Sequence, residues 1–326
     1  MMATVVTFGE AMIRLTPPNF HRLEQTTTLN VQVGGTELNT AVALSRLGIS
    51  VSWVSCLPVN PLGRMVANKA REHGVDVSPV RWAENARVGV YYLEESTSPR
   101  PSQVVYDRKD SAFALLRPDD FTWTALLKNA RVLHTTGITP AVSASARAAT
   151  KQAMQAANQA GVTVSFDMNY RSRLWSLDAA RECFLELLPF VDILFASAGA
   201  LHTFCGIDGT PEQTAIQAQQ RYNLTAVALT SRKEPSILRN RISSVVLADR
   251  LYRDREHDLE IVDRLGAGDA YSAGLLYGFL NKDWPQGIAY AGAMSALKHT
   301  MVGDIPWFTR DEIEQQLQGV SGGLQR

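Results

Sequence analysis

Apolar and polar positions along the chain fall into two alternating rhythms. Short runs rich in Val, Thr and aromatic residues predict buried strands at Thr4–Phe8, Val51–Ser55, Val132–Thr136, Val162–Phe166, Val191–Phe195 and Ala226–Leu229. Longer stretches with apolar residues at helical spacing lie between them. Thr36–Leu47 sets Leu38, Ala41, Val42 and Leu44 around a helix that Gly48 closes. Leu62–His73 ends at Gly74, and an Ala-rich helix from about Ser143 to Ala160 stops at Gly161. Strands separated by helices of this size predict an α/β fold, a central mostly parallel sheet flanked by helices. Ligands then belong at the carboxyl ends of the strands.

Two segments break the alternation. Leu29–Val33 and Val88–Leu93, the latter followed by Gln103–Tyr106, are strand-like but are not separated by helices. They predict a small β-sheet lid over the site, built from segments of about 12–33 and 87–112. No internal repeat, long linker or low-complexity tract interrupts the chain, so residues 1–326 are expected to form a single domain.

Charge narrows the functional classes. Lys and Arg number 32 and Asp and Glu number 32, a formal net charge of zero. No electrostatic footprint for nucleic acid or an anionic membrane follows from that balance. The longest window without a formal charge, Leu47–Gly63, is interrupted by Pro58, Asn60 and Pro61, which argues against a membrane span. The start lacks a basic segment ahead of a long apolar run, so a cytoplasmic protein is expected. Cys56, Cys183 and Cys205 are odd in number, far apart and form no C-x-x-C pair, the pattern of reduced core thiols. In that setting Asn223-Leu224-Thr225 is a glycosylation sequon by spelling only.

The most informative stretch is Asp263-Arg264-Leu265-Gly266-Ala267-Gly268-Asp269, followed by the helical run Ala270–Leu280. A glycine-bearing turn before a helix leaves backbone N–H groups free at the positive end of the helix dipole, which is an anion site. Asp269 in the first turn is then placed to accept a proton, and an anion cradle beside a carboxylate base suits phosphoryl transfer to a hydroxyl. Glycines before a helix can also be purely structural, with the Asp an ordinary cap. A dinucleotide fingerprint would need glycine where Tyr271 stands, and no G-x-x-x-x-G-K-[ST] loop occurs. In Gly34-Gly35-Thr36-Glu37-Leu38-Asn39 two glycines allow close backbone approach, and Asn39, one turn into the helix, can both donate and accept toward a polyol.

Taken together, Gly34-Gly35 with Asn39, Asp167-Met168-Asn169-Tyr170-Arg171, and Gly266-Ala267-Gly268-Asp269 resemble, in order, the signatures of the ribokinase-like (PfkB) sugar kinases. Gly137-Ile138-Thr139-Pro140, Tyr106–Ala112, Asp167–Trp175 and Ser295–Thr300 with Gly303-Asp304 resemble the 2-keto-3-deoxygluconate kinase branch. The likeness runs from Thr7-Phe8-Gly9-Glu10 to the terminal Gly322–Arg326. The resemblance implies a kinase that uses ATP and Mg²⁺, with a lid that also supplies a homodimer or higher homo-oligomer contact. By the same resemblance Asp269 is the general base and Gly266, Ala267 and Gly268 form the anion hole. Gly34, Gly35 and Asn39 would hold sugar hydroxyls, Tyr91 and Tyr106 would close over the substrate, and Ser231, Arg232, Gly266 and Gly268 would meet the nucleotide. A keto-deoxy acid calls for arginine forks on its carboxylate, and Arg108 and Arg171 match that role. The implied reaction is phosphorylation of 2-keto-3-deoxygluconate at its 6-hydroxyl. The rivals are a kinase of the same fold acting on fructose or on the galactonate epimer, and a sugar-acid-binding protein with weakened catalysis.

The chain departs from the family pattern in two places, the second of which counts as variation within the branch. Where relatives carry an N-x-x-E element that helps place Mg²⁺, this chain has Ser197-Ala198-Gly199-Ala200. No metal ligand is therefore assigned from sequence. Where many relatives have a glycine-containing nucleotide loop, it has Thr230-Ser231-Arg232-Lys233-Glu234-Pro235-Ser236. His202 and Cys205, three apart, read as core packing rather than a metal site, and His299 near a helix end reads as structural.

Overall fold

The computed structural model describes residues 3–236 and 238–319, so the terminal Gly322–Arg326 lies outside the described residues. Among the described residues nine strands form one large sheet. From one edge its order is Leu251–Arg253, Arg239–Leu247, Ala226–Ser236, Ile193–Ala196, Thr163–Asp167, Val132–Thr136, Val5–Phe8 and Val51–Val54, with His257–Glu260 pairing off the path to Arg239–Leu247. The six strands from Ala226–Ser236 to Val51–Val54 are parallel. Val5 is the hinge of the register, opposite Val51 on one side and Val132 on the other.

Period-two alternation in each strand divides the core into two layers. Val5, Val51, Trp53, Ile193 and Ala226 face one apolar cluster, which includes residues of helices Thr36–Arg46, Pro61–Glu72, Ala267–Asn281 and Trp284–His299. Val6, Val54, Leu194 and Val227 face the other, with helices Ala144–Gln159, Leu177–Leu187, Ala198–Cys205 and Pro211–Tyr222. Cys56, Cys183 and Cys205 are buried, unpaired thiols in the second layer. Among the described residues no helix is long and apolar enough to cross a membrane.

A second sheet of four strands, in the order Asn30–Gly34, Met12–Thr16, Val90–Glu94, Gln103–Asp107, supplies the expected lid. Its inner face carries a small cluster of its own, Met12, Tyr91 and Leu93, against which Leu265 packs. That contact places the lid next to the turn before helix Ala267–Asn281.

One expectation is corrected at the antiparallel edge. The polar run Thr230–Ser236 is not a loop. It continues the strand begun at Ala226 and pairs with Arg239–Leu247, with a register shift between Lys233 and Ser236. Polar residues form strand here because Thr230–Lys233 pair through their backbone with Arg239–Leu247 while their side chains stay in solvent.

Candidate active site

Helix Ala267–Asn281 starts from Gly266, whose φ of 83° lies in the left-handed region. A Cβ at this position would also stand 2.0 Å from the Asp304 carbonyl oxygen, so glycine is required twice over. Gly268 differs: nothing lies within 4 Å of where its Cβ would be. Its face lines a cleft with Thr230, Ser231, Arg232, Asp254, Ser295 and His299. The first-turn amides and the cleft thus meet at Gly268.

Asp269, in the same first turn, is buried. Asn39 Nδ2 donates to its Oδ2 at 2.7 Å, and Thr40 Oγ1 donates to its backbone carbonyl at 3.3 Å. Burial, reinforced by the nearby negative charges of Asp167 and Glu37, pushes its carboxyl up to about 8, against the opposing hydrogen bond from Asn39 and the charge of Arg171. Asp167, at the end of strand Thr163–Asp167, is pushed by burial to about 6, while the Asn169 amide and Arg171 pull it down. A carboxylate that shares a proton with its surroundings near neutral pH is suited to general-base work.

Glu37 anchors this corner. It sits in the first turn of Thr36–Arg46, fully buried, and its Oε1 accepts from the Thr136 amide, Thr136 Oγ1 and Thr139 Oγ1 at 2.9, 2.8 and 2.7 Å. These bonds fix the helix that carries Asn39 to the carboxyl end of strand Val132–Thr136. Gly34, just before that helix, has Asp304 Oδ2 2.4 Å from where a Cβ would stand, and a Cβ on Gly35 would meet the Glu10 carbonyl oxygen at 2.3 Å. Backbone comes this close to a carboxylate or a carbonyl oxygen only without side chains.

The lid residues divide into two groups. Tyr91 is buried and donates to Asp304 Oδ2 at 2.6 Å; its cross-strand neighbour Tyr106, with ring centroids 5.9 Å apart, is 39% exposed. Arg108 is buried and paired: its Nε donates to Glu10 Oε2 at 2.9 Å, its Nη2 bonds the same oxygen, and Ser111 Oγ donates to Glu10 Oε1 at 2.5 Å. Arg171 is exposed and makes no ion pair among the described residues. The two arginines matched to a substrate carboxylate therefore occupy opposite environments.

Sequence reasoning missed a charged strut beneath the site. Arg14, fully buried in lid strand Met12–Thr16, places Nη1 2.6 Å from Asp263 Oδ2 and 2.9 Å from Asp304 Oδ1, with Nη2 3.0 Å from Glu95 Oε1. Asp263 in turn accepts from the Leu265 amide at 3.0 Å and the Gly303 amide at 2.9 Å. The strut ties the lid to both flanks of the Gly266 turn. The available signal was a lone arginine inside an apolar strand.

Two histidine readings are corrected. His202 is a surface residue hydrogen-bonded to Asp208, not core, because it lies on the outer side of a short helix; Cys205 alone packs inward. His299 is only half satisfied. Its Nδ1 meets the Ser295 carbonyl at 2.7 Å, while the buried Nε2 has no partner and the ring lines the cleft beside Gly268. Burial lowers its pKa to about 4, so the ring is neutral at physiological pH. At the N-x-x-E position, Ser197 caps helix Ala198–Cys205 by accepting from the Ala200 amide at 3.1 Å. Among the described residues no group of three His, Cys, Asp or Glu side chains is gathered as a metal would need.

The architecture is the ribokinase-like fold, and its function is that of a carbohydrate kinase, a phosphotransferase with an alcohol acceptor. The chain belongs to the pfkB family of carbohydrate kinases, whose model matches residues 2–308. It is 38% identical to 2-dehydro-3-deoxygalactonokinase of Haloferax volcanii over the full length of both chains. It is 29% identical to 2-dehydro-3-deoxygluconokinase of Bacillus subtilis, over 94% of this chain and 92% of that one. The crystal structure of 2-dehydro-3-deoxygluconokinase from Thermotoga maritima superposes with a TM-score of 0.93 at 36% identity, covering 98% of this chain and 99% of the other.

Proposed function

We propose that this kinase transfers the γ-phosphate of ATP to the 6-hydroxyl of 2-keto-3-deoxygluconate or its galactonate epimer. The observation that carries the reading is Asp269, buried, bonded to Asn39 and next in the chain to Gly268, which lines the cleft. In this reading Asp269 accepts the hydroxyl proton as the oxygen attacks the γ-phosphorus, and the bond to the ADP bridging oxygen breaks. The amides at Gly266, Ala267 and Gly268 receive the negative charge spread over the transferring group. Gly34, Gly35 and Asn39 hold the sugar hydroxyls, and Tyr106 and Tyr91 form the wall above them. Arg171 takes the substrate carboxylate directly, and Arg108 offers it the edge of the guanidinium that Glu10 leaves uncovered.

The nucleotide occupies the cleft lined by Ser231, Arg232, Gly268 and His299, whose unpaired Nε2 gives it one more polar contact. In this reading Mg²⁺ enters as part of the MgATP substrate, liganded by phosphates and water. Both epimers remain in the reading because the relatives named above act on one or the other.

A coupled ADP-release assay with MgATP separates the possibilities. The reading expects turnover of the two keto-deoxy acids and little with fructose. Turnover of fructose alone would remove the carboxylate assignment but leave a kinase; sugar-acid binding by calorimetry without ADP release would replace the kinase with a binding protein.

A further inference from the structure

Lys298 lies in the last turn of helix Trp284–His299 with its side chain entirely out of solvent. A lysine at a helix C-terminus ordinarily runs its stem along the surface and keeps its charge in water. This one turns inward. Its Nζ donates to the Met301 carbonyl at 3.0 Å, and no carboxylate oxygen pairs with it among the described residues. An ammonium has three N–H groups, so a buried one with a single carbonyl partner is far from satisfied.

What surrounds it explains why such a charge is kept. The Lys298 Cε stands directly behind the Gly266 turn, 3.2 Å from where a Cβ on Gly266 would be. Burial lowers the Lys298 pKa and the neighbouring Arg14 guanidinium adds to that, while Asp263, Asp304 and Asp269 favour the charge from beyond pairing distance. Asp263 and Asp304, which already share Arg14, flank the same turn, and the Lys298 side chain packs against it at Gly266.

We propose that Lys298 is a built-in cation that braces the Gly266–Gly268 turn from behind and offsets the negative charge gathered there during phosphoryl transfer. It is a positioning residue, since its burial keeps it from touching substrate. The inference rests on the reading of that turn as the anion hole. In a site screened from water, a charge behind the amides acts on the transferring group far more strongly than it would at the surface. Without the ammonium, the Met301 carbonyl and the Asp263 and Asp304 carboxylates leave a cavity whose chemistry suits a small monovalent cation.

The test uses the full chain with Lys298→Met, which keeps volume and loses charge, and Lys298→Ala, which loses both. Both should lower kcat by about tenfold or more, less than the loss of a direct oxyanion donor, while sugar binding by calorimetry stays near wild type. Ammonium or potassium chloride, compared with tetramethylammonium chloride, should restore part of the Lys298→Ala rate and leave wild type unchanged. A wild-type kcat in Lys298→Met overturns the proposal, and so does a folded Lys298→Ala that no small cation restores. If Lys298→Ala does not fold by circular dichroism, the kcat and binding of Lys298→Met decide alone. Asp269→Asn checks the underlying reading separately: turnover retained there removes the anion-hole assignment whatever Lys298 does.

Discussion

The two halves of the cleft are built on opposite plans. On the side proposed for the sugar nearly every buried polar group is already engaged: Asn39 with Asp269, Tyr91 and Arg14 with Asp304, Arg108 with Glu10. On the nucleotide side Gly268 faces open space and His299 keeps an unpartnered buried nitrogen. A prepared network fixes geometry before the substrate arrives, which is what an attacking hydroxyl needs. An open cleft, on the proposed function, lets the incoming nucleotide complete the site. On the proposed function, the comparison places sugar selectivity in the lid and its struts and makes nucleotide affinity depend on contacts that the free protein has not yet made.

The largest break in this comparison is Asp269→Asn. Turnover should fall by about 10³-fold or more with sugar binding nearly intact, read by ADP release and calorimetry. The same substitution sharpens the electrostatics. A carboxyl whose folded pKa is raised to about 8 binds its proton more tightly than in the unfolded chain. Its contribution to stability is present in acid and is lost as pH rises through 8. Asp269→Asn should therefore gain thermal stability over wild type, most clearly above pH 8, in melting curves recorded across pH.

Arg108→Ala comes next. It leaves Glu10 buried without its cation, a loss of about 3–5 kcal/mol by denaturant unfolding. The double variant Arg108→Ala with Glu10→Gln should recover much of that stability yet keep a raised KM for the acid substrate, separating the two roles. Arg171→Ala removes an exposed group and should leave stability unchanged. Its KM for the keto-deoxy acid should rise about tenfold, roughly 1.4 kcal/mol, with little effect on any neutral sugar that turns over. The smallest effect is expected for His299→Ala, a several-fold rise in KM for ATP with sugar KM unmoved, in line with one neutral hydrogen bond of about 1 kcal/mol.

What could be read in advance followed from how local the signal was. Gly266, Gly268 and Asp269 are contiguous, and a glycine turn opening a helix has one physical meaning at short range. The parallel strands and the lid were legible because their apolar alternation is strong. The Arg14 strut was not, because its partners lie as far as 290 residues away and no local rule links them. Lys298 resembles an ordinary helix-end lysine, and only tertiary packing reveals that it points inward. The strand Ala226–Ser236 misled through its second half, where solvent-facing polar residues at a sheet edge look like a loop. Arg108 and Arg171 share a residue type and a plausible partner, yet burial against Glu10 separates them, and burial of a single arginine is not written in its neighbours.

The most direct test of the central claim is the pH dependence of kcat/KM for the keto-deoxy acid at saturating MgATP, from about pH 5.5 to 9.5, in wild type and Asn39→Ala. If Asp269 must lose its proton to act, the wild-type value should climb about tenfold per pH unit and level off beyond about 8. Loss of the Asn39 hydrogen bond, which favours the ionised form, should move that inflection upward. A flat profile across the range, unchanged in Asn39→Ala, would contradict the assignment of Asp269 as the base.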